Sequence, residues 1–235
     1  MNIRINQQLN GIEDITGAAV IIDVFRAFSV ECHLLSNGAE KLLAVGGKQA
    51  AYDYRERHPG TLLIGEREGA MLPGFNYGNS PSQVEGVDFT GKTVVHTTSA
   101  GTQGVSGAKN ARLILGATLL NAAATAEYIK KIGEEDVTLV CMGLGAVEPT
   151  DEDTLCAEYI RAMLISDEAA DEFRKTLPER IEGLKYTSGA KFFDPARQSV
   201  FPEKDFYLST EIDRFDFAIK AGRAGDGFFL MKKTI

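Results

Sequence analysis

"AAVIIDVFRAF" occupies residues 18 to 28. It opens with an apolar run, rich in β-branched residues, that is broken only at Asp23. A run with no polar alternation reads as a strand covered on both faces, the kind found in parallel sheets. Phe25 to Leu35 then reads as a helix, and Asn37-Gly38 supplies its stop.

The same grammar repeats along the chain. "KLLAV" (41–45) is a strand, followed by a helix that Gly46-Gly47 opens and His58-Pro59-Gly60 closes. "TLLIGE" (61–66) is a strand leading into a loop over 69–82 rich in Gly, Pro, Asn and Ser. Loops of that length inside compact domains are often functional. "KTVVHT" (92–97) precedes a helix from about Ser99 to Ala108. "ARLILGA" (111–117) precedes a helix over Asn121 to Ile132, and "DVTLVCMG" (136–143) one from Pro149-Thr150 to about Ser166. This alternation predicts a three-layer α/β/α fold with a mostly parallel, mixed central sheet. Residues 167 to 190 read as polar helix. "FDFAIKAGRAGDGFFLMKK" (215–233) reads as an antiparallel hairpin at a sheet edge. Residues 1–235 are expected to form one domain, with 167–235 an extension packed on it.

The 235 residues are 44% hydrophobic and 25% charged, an ordinary globular composition. The net charge is -8 and no basic stripe is present, so nucleic-acid binding is not expected. No stretch approaches the roughly 20 apolar residues that span a bilayer. "MNIRINQQLNG" lacks the apolar core of a signal peptide. Cys32, Cys141 and Cys156 are widely spaced in apolar or helical contexts, which suits buried thiols in a reducing compartment. A cytoplasmic protein is expected, and such acidic α/β enzymes are often homo-oligomers.

Open α/β sheets bind ligands beyond the carboxyl ends of their strands. The expected strand ends carry Asp23, then Glu66 and Arg67, then Thr97-Thr98-Ser99, then Gly116 to Asn121, then Gly143 to Glu148. Asp23 reads either as a helix N-cap or as a carboxylate that holds a metal or attacks an electrophile, with Arg26 beside it for an anion. Arg67 offers a planar fork for phosphate or sulfonate, and Glu68 reads as a solvated turn. Gly78-Asn79-Ser80-Pro81 is a turn capping a short helix, or a ligand contact. "VVHTTSAGTQG" (94–104) carries a strand into a helix start, with Ser99 or Thr98 as the cap. Free N–H groups there attract anions, and Gly101 lets the backbone come close. In the acidic run 148–153, Thr150 and Asp153 suggest a capping box, Asp151 and Glu152 complement the helix dipole, and Asp153 is also a candidate metal ligand. No P-loop occurs, Glu148 stands where a dinucleotide fingerprint needs its third glycine, and no histidines are paired at zinc-ligand spacing.

"IDVFRAFS", "GERE…PGFNYGNSP", "TTSAGT", "GATLLNAAATA", "VCMGLG" and "EDTLCAEYI" follow one another in this chain. In that order and spacing they resemble the 2-phosphosulfolactate phosphatase family. The resemblance implies an α/β/α fold and Mg²⁺-dependent hydrolysis of a phosphomonoester, 2-phospho-3-sulfolactate to 3-sulfolactate and phosphate, a step in coenzyme M biosynthesis. By motif it implies roles for Asp23, Arg26, Glu66, Arg67, Asn79, Ser80, Thr97, Thr98, Gly101, Thr102, Asn121 and Asp153. Asp23, Glu66 and Asp153 are the implied metal ligands. The chain departs from the family pattern at Ser99-Ala100, where relatives carry Thr-Asn, at Phe28, where they carry Thr, and in a longer acidic turn before the last motif.

The leading expectation is therefore a Mg²⁺ phosphatase for a small anionic phosphorylated substrate. Arg26 and Arg67 would neutralise charge, with phosphate on the 97–102 loop. Asp23 would hold the metal or form an acyl-phosphate. A lyase or isomerase using Glu66 as base, and a non-catalytic binder of a phosphorylated metabolite, are the alternatives.

Overall fold

The computed structural model describes all 235 residues. In chain order it contains β1 (Asn2–Gln7), β2 (Ala18–Ile22), α1 (Ala27–Ser36), β3 (Lys41–Val45), α2 (Lys48–Arg57) and β4 (Leu62–Arg67). Then come β5 (Ala70–Met71), α3 (Pro81–Val84), β6 (Thr93–Thr97), α4 (Gly101–Gly107), β7 (Leu113–Ala117) and α5 (Ala122–Lys131). The chain closes with β8 (Asp136–Cys141), α6 (Asp151–Ile165), α7 (Asp167–Leu184), α8 (Glu203–Thr210), β9 (Ala218–Gly225) and β10 (Phe228–Thr234).

One mixed sheet of ten strands runs in the order β1-β8-β2-β7-β9-β10-β3-β6-β4-β5. Strands β1, β8, β2 and β7 are mutually parallel, as are β3, β6 and β4. The hairpin β9–β10 pairs antiparallel with both blocks, with β7 on one side and β3 on the other. It thus fills the centre of the sheet, not the edge expected for it. Its position depends on neighbours far away in sequence. Residues 218–234 join the two parallel blocks, so the C-terminal region is part of the sheet itself. The edge strand β1 was not legible as a strand, because its residues are polar or half-exposed.

The burial of β2 explains its unbroken apolar run. Ala19 and Ile21 point into one core with Phe28, Cys32 and Leu34 of α1 and Val105 of α4. Ala18, Val20 and Ile22 point into another with Ala126 and Ile129 of α5 and Leu155, Tyr159 and Ile160 of α6. The second block repeats this. Leu42, Ala44, Ile64 and Val94 share the first core, while Leu43, Val45, Leu63 and Val95 pack on Ala51 and Tyr54 of α2. Helices therefore cover both faces of the sheet, the expected α/β/α layering.

The two parallel blocks run in opposite directions, yet the carboxyl ends of β2 and β6 meet. Sheet twist supplies the reason. Five steps separate β2 from β6, and at roughly 20–25° per step the strands turn through about 100–125°. The sheet curls around α1 and α4 and closes a cleft between its halves.

Candidate active site

Asp23 follows β2 directly and is buried. Its Oδ1 accepts the Ala27 N–H at 3.0 Å and its Oδ2 the Gly101 N–H at 2.8 Å. These are the first residues of α1 and α4, so one carboxylate sits against two helix starts. A Cβ at position 101 would lie 2.7 Å from Ala27 Cβ and 2.9 Å from Asp23 Oδ2, which is why glycine occupies it. Burial pushes the Asp23 carboxyl up to about 6; the Ala27 N–H opposes this and the Glu66 charge adds to it.

Glu66, at the end of β4, accepts the Ser99 N–H at 2.7 Å on Oε1. Its Oε2 accepts the Gly69 N–H at 2.8 Å and the Ser99 hydroxyl at 3.1 Å. The backbone groups expected to cradle an external anion are thus already engaged, Gly101 N by Asp23 and Ser99 N by Glu66. Ser99 does not cap α4. The N-cap position is Ala100, and the Thr98 hydroxyl instead accepts the Thr102 N–H at 3.2 Å. Thr98 N donates in return to the Thr102 hydroxyl at 2.9 Å.

Arg26 donates to Asp205 Oδ2 of α8 at 2.6 Å and to the Val200 carbonyl at 2.9 Å. Asp205 Oδ1 also accepts the Ser80 hydroxyl and the Ser82 N–H, each at 2.9 Å. Arg67 reaches the Gly46 carbonyl and the Thr97 hydroxyl, both at 2.9 Å, and so ties the ends of β3, β4 and β6 together. Asn121 accepts the Thr118 N–H at 3.0 Å and donates to the Gly116 carbonyl at 3.3 Å, fixing the turn after β7. Asp153 makes no capping box with Thr150. Its two oxygens accept the Val24 and Gly143 N–H groups, both at 2.8 Å.

A cavity of about 380 Å³ opens where these strand ends converge. Asp23, Arg26, Glu66, Asn79 and Ser99 line it, all of them singled out from sequence. Arg67, Ser80, Thr97, Thr98, Gly101, Thr102, Asn121 and Asp153 lie outside that lining and hold its walls. Sequence reasoning missed Glu152, Lys191, Arg197 and Phe201, which also line it. Glu152 is buried in the first turn of α6, and its Oε2 has no hydrogen-bond partner. Burial raises its pKa against the pull of Lys191, and burial lowers that of Lys191 against the pull of Glu152. Two guanidinium groups approach the Phe201 ring, Arg26 at 4.8 Å and Arg197 at 4.6 Å from its centre. Gly69, at φ +82°, makes room for this ring, since a Cβ there would lie 2.4 Å from Phe201 Cζ. Lys191 and Arg197 belong to short 3₁₀ turns. Such turns carry no periodic signal; the only hint was two cations close to aromatic residues in an acidic chain.

Buried carboxylates and converging cations at the strand ends of an α/β sheet mark an enzyme that handles an anion. The profile described as 2-phosphosulpholactate phosphatase matches residues 4–221. The chain belongs to that family of phosphoric monoester hydrolases. It is similar to the "Probable 2-phosphosulfolactate phosphatase" of Bacillus subtilis (strain 168), 31% identical over 208 residues and 88% of each chain. Proteins of the same name from Thermotoga petrophila and Carboxydothermus hydrogenoformans are 33% and 34% identical. They cover 84% and 74% of this chain and 86% and 75% of their own. No helix is long and apolar enough to cross a membrane.

Proposed function

We propose that this chain is a Mg²⁺-dependent phosphatase for a small phosphomonoester carrying further anionic groups. We take 2-phosphosulfolactate, the compound in its relatives' names, as the substrate, cleaved to 3-sulfolactate and phosphate as a step of coenzyme M biosynthesis. The observation that carries the reading is a single cavity that gathers Asp23, Glu66 and Glu152 with Arg26, Lys191 and Arg197.

The residues present fit a magnesium ion. No three acidic, histidine or cysteine side chains close on one point, but Mg²⁺ keeps several waters and needs only one or two carboxylates. Asp23, whose carboxyl is raised to about 6, and Glu152, with an unpartnered buried oxygen, are groups that a cation would relieve. These two would hold the ion, with Glu66 nearby; Asp153 would serve it by orienting Val24 and Gly143. When bound, the ion would neutralise phosphate charge and lower the pKa of a bound water.

The chain's own groups do the rest. Arg197 at the rim and Lys191 deeper in attract an anionic substrate and compensate its charge. Arg26, fixed by Asp205, holds a guanidinium at the wall without a costly reorganisation. Glu66 spends its oxygens on Ser99 and Gly69, which suits a wall-positioning role better than that of a free base. Phosphoryl transfer asks mainly for positioning and charge stabilisation, which this set supplies.

Phosphate release by the purified protein tests the reading, using 2-phosphosulfolactate, phospholactate and p-nitrophenyl phosphate with Mg²⁺ or with EDTA. Release that needs Mg²⁺ and is fastest on the sulfonate is expected. Equal release in EDTA would remove the metal from the account. No release on any of the three would remove the phosphatase reading.

A further inference from the structure

His96 lies within β6 with no exposed surface. Its Nδ1 is 2.9 Å from Glu31 Oε1 of α1, and its Nε2 is 3.3 Å from Asn79 Oδ1. Asn79 Oδ1 can only accept, so Nε2 carries the hydrogen of that contact. Glu31 is equally buried, and its Oε2 has no partner. His96 is the group in contact with this carboxylate.

The consequence reaches the cavity through Asn79, which forms part of its wall. With Oδ1 turned to His96, the other amide atom, Nδ2, makes no hydrogen bond within the protein. An amide can present its cavity side either as a donor or as an acceptor. A His96 accepting at Nε2 would turn the amide over and put a carbonyl oxygen there. We infer that Glu31 and His96 are positioning residues that orient the Asn79 amide so that its Nδ2 donates to an oxygen of the anionic substrate. This rests on the reading of the cavity as the site for an anion. None of the three residues takes or gives a proton in the reaction; the pair sets which end of Asn79 the substrate meets.

The first test needs no substrate. The chain has three histidines, so the ring nitrogens of ¹⁵N-histidine-labelled protein can be assigned to His96 by their loss in His96→Gln. The expected result is a hydrogen on His96 Nε2 in the native protein, and a ring partly shifted to the Nδ1–H tautomer in Glu31→Gln. A His96 that carries its hydrogen on Nδ1 alone in the native protein would overturn the inference whether or not 2-phosphosulfolactate is turned over.

The second test is kinetic, on 2-phosphosulfolactate. Glu31→Gln is expected to raise KM by roughly ten- to a hundredfold, the loss of one hydrogen bond to a charged group. The change in kcat should stay within about threefold, the pattern of lost uniform binding. Asn79→Ala should raise KM similarly, and adding Glu31→Gln to it should raise KM no further. An unchanged KM in Glu31→Gln, or additive effects in the double variant, would overturn the inference. If the native protein does not hydrolyse the sulfonate, weaker binding of inorganic phosphate by Glu31→Gln and Asn79→Ala replaces KM, with the same two outcomes.

Discussion

Asp23 Oδ2 accepts the Gly101 N–H at 2.8 Å, although the two residues belong to sheet halves whose strands run in opposite directions. The same carboxylate holds the Ala27 N–H through Oδ1. One buried side chain thereby sets the distance between α1 and α4 and forms the floor of the cavity. Function and stability pull against each other at this position, because the charge that suits a metal and a phosphate is costly to bury.

That conflict gives a pH signature. Burial raises the folded Asp23 carboxyl from 3.8 to about 6. Below about 3.8 the group is protonated in both folded and unfolded chains. As pH rises through about 6 the folded state loses that advantage and becomes less stable. The shift of a little over two units corresponds to at most about 3 kcal/mol. Asp23→Asn does not titrate, and the hydrogen bond it loses is a pH-independent offset. The stability of Asp23→Asn minus that of the native protein, from urea unfolding without divalent ions, should therefore rise by up to ~3 kcal/mol between about pH 4 and pH 7. A flat difference would show that Asp23 is not destabilised by burial.

Asp205 binds Arg26, Ser80 and the Ser82 N–H, all within buried surroundings. Asp205→Asn leaves the Arg26 guanidinium buried without its counter-charge. Removing one partner of such a pair costs about 3–5 kcal/mol. Denaturant melts should show a loss of that size and activity should fall with it. A loss below about 1 kcal/mol, typical of exposed pairs, would mean that water reaches Arg26.

Gly69→Ala strikes the cavity without touching a charge. The added methyl would meet the Phe201 ring at a backbone position of positive φ. Overpacking together with the left-handed conformation should cost about 1–3 kcal/mol. The displaced ring would lose its contacts with Arg26 and Arg197. Steady-state kinetics should show a higher KM. An unchanged KM alongside the stability loss would separate Phe201 from substrate binding.

Arg197 stands exposed at the rim, so its removal tests attraction of the substrate with little effect on folding. Arg197→Ala should raise KM by roughly tenfold while kcat changes little, the pattern of lost uniform binding. The effect should shrink as salt is added. A fall in kcat with KM unchanged would place Arg197 at the reacting phosphate instead.

The sequence made the architecture legible because strands covered on both faces leave no room for polar residues, as Val20 to Ile22 illustrate. It also located the strand ends, and with them Asp23, Glu66 and Ser99, while Asn79 stood out in the loop over 69–82. The sheet centre was not legible. The turn of β9–β10 is written locally in Gly225-Asp226-Gly227, but its insertion between β7 and β3 is decided by distant partners. Glu152 read as a helix-dipole residue because its neighbours Asp151 and Asp153 are acidic too. Only the packing of α6 shows that Glu152 faces the cavity while Asp153 is spent on backbone N–H groups. His96 read as one more strand residue, since its partners, Glu31 and Asn79, come from a helix and a loop.

The most direct test of the account is the initial rate of phosphate release from 2-phosphosulfolactate in Mg²⁺ by the native protein, Asp23→Asn and Glu152→Gln, each first shown to be folded. Both variants are expected to lose at least about a hundredfold in kcat, the scale of losing one electrostatic stabiliser at a reacting group. Native-like rates in either variant would contradict the claim that these two buried carboxylates form the working centre of the cavity.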